Sequence, residues 1–339
     1  MSARASILPV FVPHLGCPHA CVFCNQRRIS GQTEPADAET VRAVLASAAN
    51  MPKPENGRQL AFYGGSFTAI PEEQQLELLS AAQEGIERGI IDSIRLSTRP
   101  DAIDDSVLER LKHFCVDTIE LGAQSLNDEV LRLSGRGHTA DDVRRASHMV
   151  KDAGFRLVLQ MMTGLPGDTG AQSLATAQEI VKLHPDGVRI YPTVIVRDTA
   201  LCELWRRGAY REHTVEDAVR ICAKLLPLFE LAGIPVLRLG LNPTDELSGG
   251  AAVAGAYHPA LGELVRARIM REKAEALLRG VQPGSRVVLA VPPRLLSQLL
   301  GQRRANVSAL IDEFRLAELK VCPNSSISAE IEVLSIEKP

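Results

Sequence analysis

The chain has 339 residues, of which 45% are hydrophobic and 23% are charged, a composition typical of a soluble globular protein. Its formal net charge of −3 provides no overall attraction to nucleic acid or to an acidic membrane surface. No apolar run is long enough to span a bilayer, and the N-terminus lacks a signal-peptide pattern. The sequence therefore predicts a cytoplasmic protein without a membrane partner.

Short β-branched runs alternate with helical patterns along most of the chain. These runs are mostly continuous and apolar, as expected for strands that are buried on both faces of a parallel sheet. Repeated alternation of strands and helices predicts an α/β fold, either doubly wound or barrel-like. The predicted strands are Ile7–Val12, Leu60–Tyr63, Ser93–Ser97, Thr118–Leu121, Leu157–Met161, Gly187–Tyr191 and Pro235–Leu239.

The pattern changes near residue 280, where Pro283 and Gly284 end the preceding helix. We therefore expect one domain at residues 1–280 and a small α+β domain at residues 281–339. The predicted elements of the small domain are a strand at Arg286–Val291, helices at Arg294–Leu300 and Ala305–Phe314, and strands at Leu319–Val321 and Ile327–Leu334.

Three of the seven cysteines, Cys17, Cys21 and Cys24, directly follow the first predicted strand. Their spacing lets one loop wrap three thiolates around a single inorganic cluster, and thiolates are the usual ligands of iron–sulfur clusters. Three ligands leave one iron of a four-iron cluster free to bind a substrate or cofactor. A zinc site with His14 or His19 as fourth ligand is the alternative, although zinc ligands usually come in two separate pairs.

The spacing C-x3-C-x-Φ-C, with Phe23 as Φ, resembles the signature of radical S-adenosylmethionine (radical SAM) enzymes. The resemblance implies a partial (β/α)6 TIM-like barrel, a [4Fe-4S] cluster and S-adenosyl-L-methionine (SAM) bound to the unique iron. Reduction of the bound SAM would produce a 5′-deoxyadenosyl radical that abstracts hydrogen from a substrate. It also implies an external electron donor such as a flavodoxin-like or ferredoxin-like protein.

Further motifs follow the ends of the predicted strands, where barrels place their sites. Gly64 and Gly65 resemble the family's GGE-type motif, with Ser66 at the glutamate position. The segments after later strands are most similar to the radical SAM domain of the Elongator catalytic subunit, and less so to oxygen-independent coproporphyrinogen oxidases. This similarity covers roughly residues 5–270, and we do not expect the acetyltransferase domain of the Elongator subunit. It implies that the SAM cavity is lined by Gln124, Ser125, Arg136, Gln160 and Pro192.

The predicted strand–helix–helix–strand order of the tail resembles a KH domain, in which a G-x-x-G loop clamps a nucleic-acid backbone. Gly301 opens the corresponding loop, but Arg304 replaces the second glycine. Arg303 and Arg304 are candidate RNA contacts. The alternative is a small packing module that caps the barrel.

These observations lead to three hypotheses about function, none of which assigns a catalytic side chain. The first is a radical SAM enzyme that modifies an RNA, such as a tRNA-like substrate. The second is a radical SAM enzyme of porphyrin or other small-molecule metabolism. The third is an RNA-binding protein whose iron–sulfur cluster is a redox sensor.

Overall fold

The computed structural model describes residues 5–12, 15–17, 21–31, 34 and 36–339. The chain forms two compact units. The first extends to Thr214 and also includes Leu225–Tyr257, and the second combines Val215–Lys224 with His258–Pro339. No helix within the described part of the chain is long and apolar enough to cross a membrane.

The strands of the first unit form one large parallel sheet and one small antiparallel pair. Seven strands form the large sheet in the order β1-β2-β3-β4-β5-β6-β8. Each strand thus lies beside the strand of this sheet that precedes it in the chain. A doubly wound sheet would reverse its order at a switch point, so this sequential order is that of a barrel. The strands are β1 Ser6–Phe11, β2 Arg58–Tyr63, β3 Ser93–Thr98, β4 Val116–Gln124, β5 Arg156–Thr163, β6 Gly187–Pro192, β7 Val194–Val196, β8 Val236–Leu239 and β9 Ala252–Gly255.

The predicted partial barrel is therefore confirmed, as a curled half-barrel of six strand–helix units followed by a seventh parallel strand. Its inner strands, such as β2 and β4, are largely buried because helices cover the sheet, whereas the edge strands β1 and β8 are partly exposed. The helices that follow the strands in the chain are α1 Gln26–Ser30, α2 Ala38–Ala49, α3 Glu72–Glu87, α4 Asp105–Lys112, α5 Asp128–Leu133, α6 Ala140–Asp152, α7 Gly170–Leu183, α8 Ala200–Arg206 and α9 Val215–Leu231.

The antiparallel pair of β7 and β9 was not predicted from the sequence, since each strand is too short to show an alternating pattern. The chain then enters α8, and the backbone N–H of Leu201 donates to the carbonyl of Val22 at 2.7 Å. Phe23 packs with Leu201 and Tyr210 in the same apolar cluster. This cluster fixes the end of the cysteine loop against the barrel.

The second unit has its own apolar core. Its three-stranded sheet has the order β11-β10-β12, with β11 parallel and β12 antiparallel to β10. The remaining elements of this unit are α10 Leu261–Leu278, β10 Arg286–Val291, α11 Leu296–Leu300, α12 Ala305–Phe314, β11 Glu318–Pro323 and β12 Glu332–Glu337.

Two features of the second unit differ from the sequence-based expectation. The last strand begins at Glu332 rather than at Ile327, because β10 is short and its residues Arg286 to Ala290 pair with the segment from Glu332 to Glu337. Helix α10 belongs to the second unit rather than to the barrel, so the unit boundary lies before residue 280. The reason is that Met270 and Leu278 of this helix are buried in the same core as β10.

Candidate active site

The cysteine loop and the glycine-rich loop after β2 lie in direct backbone contact. The Ser66 N–H donates to the carbonyl of Leu15 at 2.8 Å. A Cβ atom on Gly65 would lie 2.4 Å from the Val12 oxygen and 2.5 Å from the Leu15 oxygen, closer than side-chain carbons approach. The adjoining Gly16 has a φ of 68° and is equally crowded by the Ser66 carbonyl. Glycine is therefore required here because two segments of this chain's own backbone meet.

One cavity of about 520 Å³ opens beside these loops, at the carboxyl ends of the barrel strands. This is the position at which barrels place their active sites, and the volume is typical of small-molecule sites. The cavity brings together nearly all of the predicted site residues, namely Cys17, Cys21, Phe23, Cys24, Gly64, Gly65, Ser66, Gln124, Arg136, Gln160 and Pro192.

Ser125 is the predicted site residue that does not line this cavity. Its hydroxyl oxygen accepts a hydrogen bond from the Asn127 N–H and lies 3.4 Å from the Thr176 hydroxyl. Its side chain thus stabilises the turn that leads from β4 into α5. The predicted SAM contact at Ser125 stays a prediction, although its side chain is engaged in this turn.

The three cysteine thiols are free and stand next to polar donors. An Arg136 N–H approaches the Sγ of Cys21 at 3.4 Å, and the Gln26 amide approaches the Sγ of Cys24 at the same distance. The Oγ of Ser66 lies 3.5 Å from the Sγ of Cys17. Burial and, to a lesser extent, the neighbouring Cys21 raise the pKa of the Cys24 thiol to about 12.

The cysteine surroundings fit an iron–sulfur cluster better than a single metal ion. Among the described residues, no three histidine, cysteine, aspartate or glutamate side chains are grouped closely enough to hold one ion. Each thiolate of a four-iron cluster binds a different iron, so the three sulfurs need not converge on one point. Hydrogen bonds to the sulfurs also tune the reduction potential of such clusters. The alternative zinc ligands, His14 and His19, lie outside the described residues.

Gln124 and Arg136 present unpaired polar atoms at the end of β4. Gln124 adopts a left-handed backbone with a φ of 62°, an unusual conformation for a residue other than glycine. Its buried Oε1 and the buried Nε of Arg136 have no protein hydrogen-bond partner. A second N–H of Arg136 donates to the carbonyl of Gly122 at 2.7 Å and so fixes the guanidinium. Buried polar atoms are normally paired, which makes these two atoms candidates for contacts with a ligand.

The floor of the cavity contains a charged cluster that sequence reasoning had not assigned. Glu120 on β4 is fully buried. Its carboxylate accepts hydrogen bonds from Arg189 at 2.7 Å, Arg95 at 2.8 Å, Tyr63 at 2.9 Å and Gln160 at 3.1 Å. Burial alone would raise the pKa of Glu120, but the two guanidinium groups outweigh it and hold the pKa below its usual range. Glu120 is therefore a carboxylate in the folded protein.

A signal for this cluster was present in the sequence. Glu120 and Arg189 stand between apolar neighbours in their strands, and charged residues are rarely fully buried unless they are paired. The sequence does not show that the two side chains point to the same interior, because they are 69 residues apart. Only the pairing of β4 with β5 and of β5 with β6 places them together.

Comparison with known families agrees with this fold. The radical SAM superfamily model matches residues 11–180, and the radical SAM C-terminal domain model matches residues 185–271. The chain therefore belongs to the radical SAM superfamily, an enzyme class that uses a [4Fe-4S] cluster and SAM and requires a reductant.

Within this superfamily the chain is similar to the Elongator proteins. It is 29% identical to human Elongator complex protein 3 over 226 residues, which are 61% of this chain and 40% of that protein. It is 26% identical to the tRNA uridine(34) acetyltransferase of Methanocaldococcus jannaschii over 246 residues, 60% of this chain and 45% of that protein. The chain thus matches less than half the length of either relative.

Solved structures show the same fold. The archaeal Elp3 of Methanocaldococcus infernus superposes with a TM-score of 0.62 at 22% identity, over 83% of this chain and 67% of that one. Coproporphyrinogen III oxidase from Escherichia coli, a radical SAM enzyme, superposes with a TM-score of 0.50 at 18% identity, over 68% of this chain and 53% of that one. At these identities the likeness concerns the fold alone.

Proposed function

We propose that the protein is a radical SAM enzyme that modifies an RNA, with a tRNA as the substrate class. The observation that carries this proposal is the single cavity that joins the three cysteines to unpaired polar atoms at the strand ends. When bound, the cluster and SAM supply radical chemistry at a substrate C–H bond. Similarity to the Elongator proteins and to a tRNA uridine(34) acetyltransferase supports RNA as the substrate.

In this proposal the cluster is held by Cys17, Cys21 and Cys24, while Arg136 and Gln26 donate hydrogen bonds to its sulfur ligands. The other predicted cavity residues surround SAM. The unpaired Oε1 of Gln124 and Nε of Arg136 supply an acceptor and a donor for it. The remaining contacts come from Phe23, Gly64, Gly65, Ser66, Gln160 and Pro192.

Two arginines in the second unit are the proposed RNA contacts. Gly301, Arg303 and Arg304 all have positive φ values, and both arginines are exposed at the start of α12. The Ala305 N–H donates to the Gln302 carbonyl, but no side chain caps the first turn of this helix. Its following N–H groups and the positive end of its dipole can therefore face a phosphate. The element order around the loop is the one predicted for a KH-like module.

The cluster and its chemistry are tested together by anaerobic reconstitution. The wild type is expected to bind about four irons per chain and to release 5′-deoxyadenosine from SAM when dithionite is added. The Cys17, Cys21 and Cys24 triple alanine variant is expected to lose both properties, whereas Cys115→Ala, which removes an exposed cysteine outside the cavity, should keep them. Stoichiometric zinc without iron in anaerobically purified protein would contradict the proposal.

RNA binding is tested separately by charge reversal at the loop. Arg303→Asp with Arg304→Asp should weaken tRNA binding and flatten its salt dependence, because fewer phosphate contacts release fewer counterions. Arg286→Asp with Arg315→Asp is the matched control, since it makes the same charge change at exposed arginines near the opposite end of α12. SAM cleavage without RNA binding in the wild type would favour a small-molecule substrate. RNA binding without SAM cleavage would favour a redox sensor.

A further inference from the structure

An interior layer of this barrel is charged, whereas barrel interiors are normally filled by branched apolar residues. The adjacent strands β3, β4, β5 and β6 carry Arg95, Glu120, Gln160 and Arg189, which are linked by hydrogen bonds through Glu120. Removing three charges from water is costly unless each is paired. A layer of this kind at the floor of a ligand cavity points to a binding role.

The charges around the cavity do not balance. Arg99 is paired with Asp101 at 2.9 Å, and Arg136 faces the thiol of Cys21. At the floor, by contrast, two guanidinium groups share the single carboxylate of Glu120. The floor therefore carries one surplus positive charge.

The acceptor capacity of Glu120 is already used. Its two oxygens accept five hydrogen bonds, two of them from Arg189. Arg189 lines the cavity, whereas Arg95 lies behind the lining and its Nε is buried without a partner. The floor therefore offers donors and positive charge to an incoming group, but no free acceptor at Glu120.

SAM does not account for this surplus. Its sulfonium is positively charged, and its amino and carboxylate groups are the ones that would bind the cluster held by Cys17, Cys21 and Cys24. The surplus charge of the floor is therefore complementary to a second group that is negatively charged and small enough to share the cavity with SAM. Arginine suits such a group because its planar fork matches the geometry of carboxylate and phosphate oxygens.

We propose that the cavity floor binds an oxyanion of the reacting substrate, a carboxylate or a phosphate, through Arg189 with Arg95 behind it. Glu120 is a positioning residue that fixes the guanidinium of Arg189 and also orients Gln160 and Tyr63. Cation–π contact adds to this order, since the Arg189 guanidinium carbon lies 5.5 Å from the centre of the Tyr63 ring. The inference rests on the proposed function, because it places the oxyanion beside bound SAM.

Fluorine NMR of small probes tests the floor directly. The holoenzyme is reconstituted, kept oxidised and saturated with SAM, so that the unique iron is covered. Trifluoroacetate should then show saturable line broadening, and neutral trifluoroethanol of similar size should not. Competition with acetate and with inorganic phosphate distinguishes the two oxyanions, and the stronger competitor identifies the class.

Variants distinguish an oxyanion-binding site from a charged cluster that only stabilises the fold. Arg189→Gln should weaken trifluoroacetate binding by about tenfold or more, as expected for the loss of a charge-assisted hydrogen bond. Glu120→Gln should keep or tighten binding, because the isosteric amide oxygen still accepts a hydrogen bond from Arg189 and so keeps it in position, while the surplus positive charge rises. Arg42→Gln, which breaks the exposed pair with Glu84, should bind as the wild type does. If Arg189→Gln does not fold, Arg189→Lys replaces it in the test. The lysine variant should bind trifluoroacetate more weakly than the wild type.

Three results would overturn the inference: equal broadening of both probes, unchanged binding in both Arg189 variants, or loss of binding in folded Glu120→Gln. SAM cleavage to 5′-deoxyadenosine is measured in the same preparations. If the wild type cleaves SAM but does not bind an oxyanion, the proposed oxyanion site is wrong and the proposed function is unaffected. Absence of cleavage rejects the proposed function.

Discussion

The contact between the cysteine loop and the glycine-rich loop makes a quantitative prediction for Gly65→Ala. The new methyl carbon would lie 2.4 Å and 2.5 Å from two carbonyl oxygens, and real side-chain carbons essentially never approach closer than 3.0 Å. Both obstacles are backbone atoms, so one loop must move by at least about 0.6 Å. Overpacking of this kind costs about 1–3 kcal/mol of stability.

The displaced segment carries the first proposed cluster ligand. Leu15 precedes Cys17 by two residues, and Ser66 contacts the Cys17 sulfur. We therefore expect Gly65→Ala to lower the iron content after reconstitution and the yield of 5′-deoxyadenosine. The Tm of the apoprotein should fall by about 2–4 °C for each kcal/mol, the value for a unit of this size.

Calorimetry of the apoprotein and iron analysis of the reconstituted protein measure these two effects. Gly249→Ala is the matched control, because no atom lies within 4 Å of the position of its Cβ and its φ is not in the left-handed region. If Gly65→Ala has the Tm and iron content of the wild type, the two loops do not constrain each other and the reasoning is refuted.

Two further predictions concern polar side chains near the end of β4 and on β5. Gln124→Ala and Gln160→Ala should weaken SAM binding, measured by equilibrium dialysis, while iron content stays unchanged; unchanged affinity in both would give these residues a structural role. Burial, followed by the charge of Arg136, lowers the pKa of His138 from 6.5 to about 4. Between these values the unfolded chain binds a proton that the folded protein excludes, so the stability due to neutral His138 is present above pH 6.5 and is lost as the pH falls toward 4. Urea unfolding of the apoprotein should show that its stability falls as the pH is lowered from about 7.5 to about 5. His138→Gln should make this fall smaller by about 2 kcal/mol.

The control for His138 is His148→Gln, an exposed histidine on α6. It should leave the pH dependence of urea unfolding unchanged. An identical pH dependence in the wild type and in His138→Gln would show that His138 is accessible to protons in the folded protein.

Local sequence was sufficient for the elements of the barrel. All seven predicted strands of the main sheet exist, because strands buried on both faces leave a continuous apolar run. The small strands β7 and β9 and the position of the last strand were not predictable in this way. For β12, the alternation from Ile327 to Val333 predicted a strand, but the length of β10 decided which residues pair.

The cysteine motif likewise needed no tertiary information, because its spacing alone identifies three thiolates that one loop can bring to one cluster. The cavity residues predicted by resemblance also lie together, apart from Ser125. Ser125 follows Gln124 directly, and only the structure shows that its hydroxyl accepts a hydrogen bond within the turn into α5.

The sequence by itself thus determined the α/β pattern, the cluster motif and most of the cavity lining, since each depends on neighbours in the chain or on periodicity. The tertiary structure decided which distant side chains meet. Glu120, Arg95 and Arg189 form one cluster only because β3, β4, β5 and β6 lie side by side in a fixed register. The need for glycine at position 65 also arises from a second segment of backbone 50 residues earlier, at Leu15. Electrostatic and steric contacts depend on distance in space, and strand order and register set that distance.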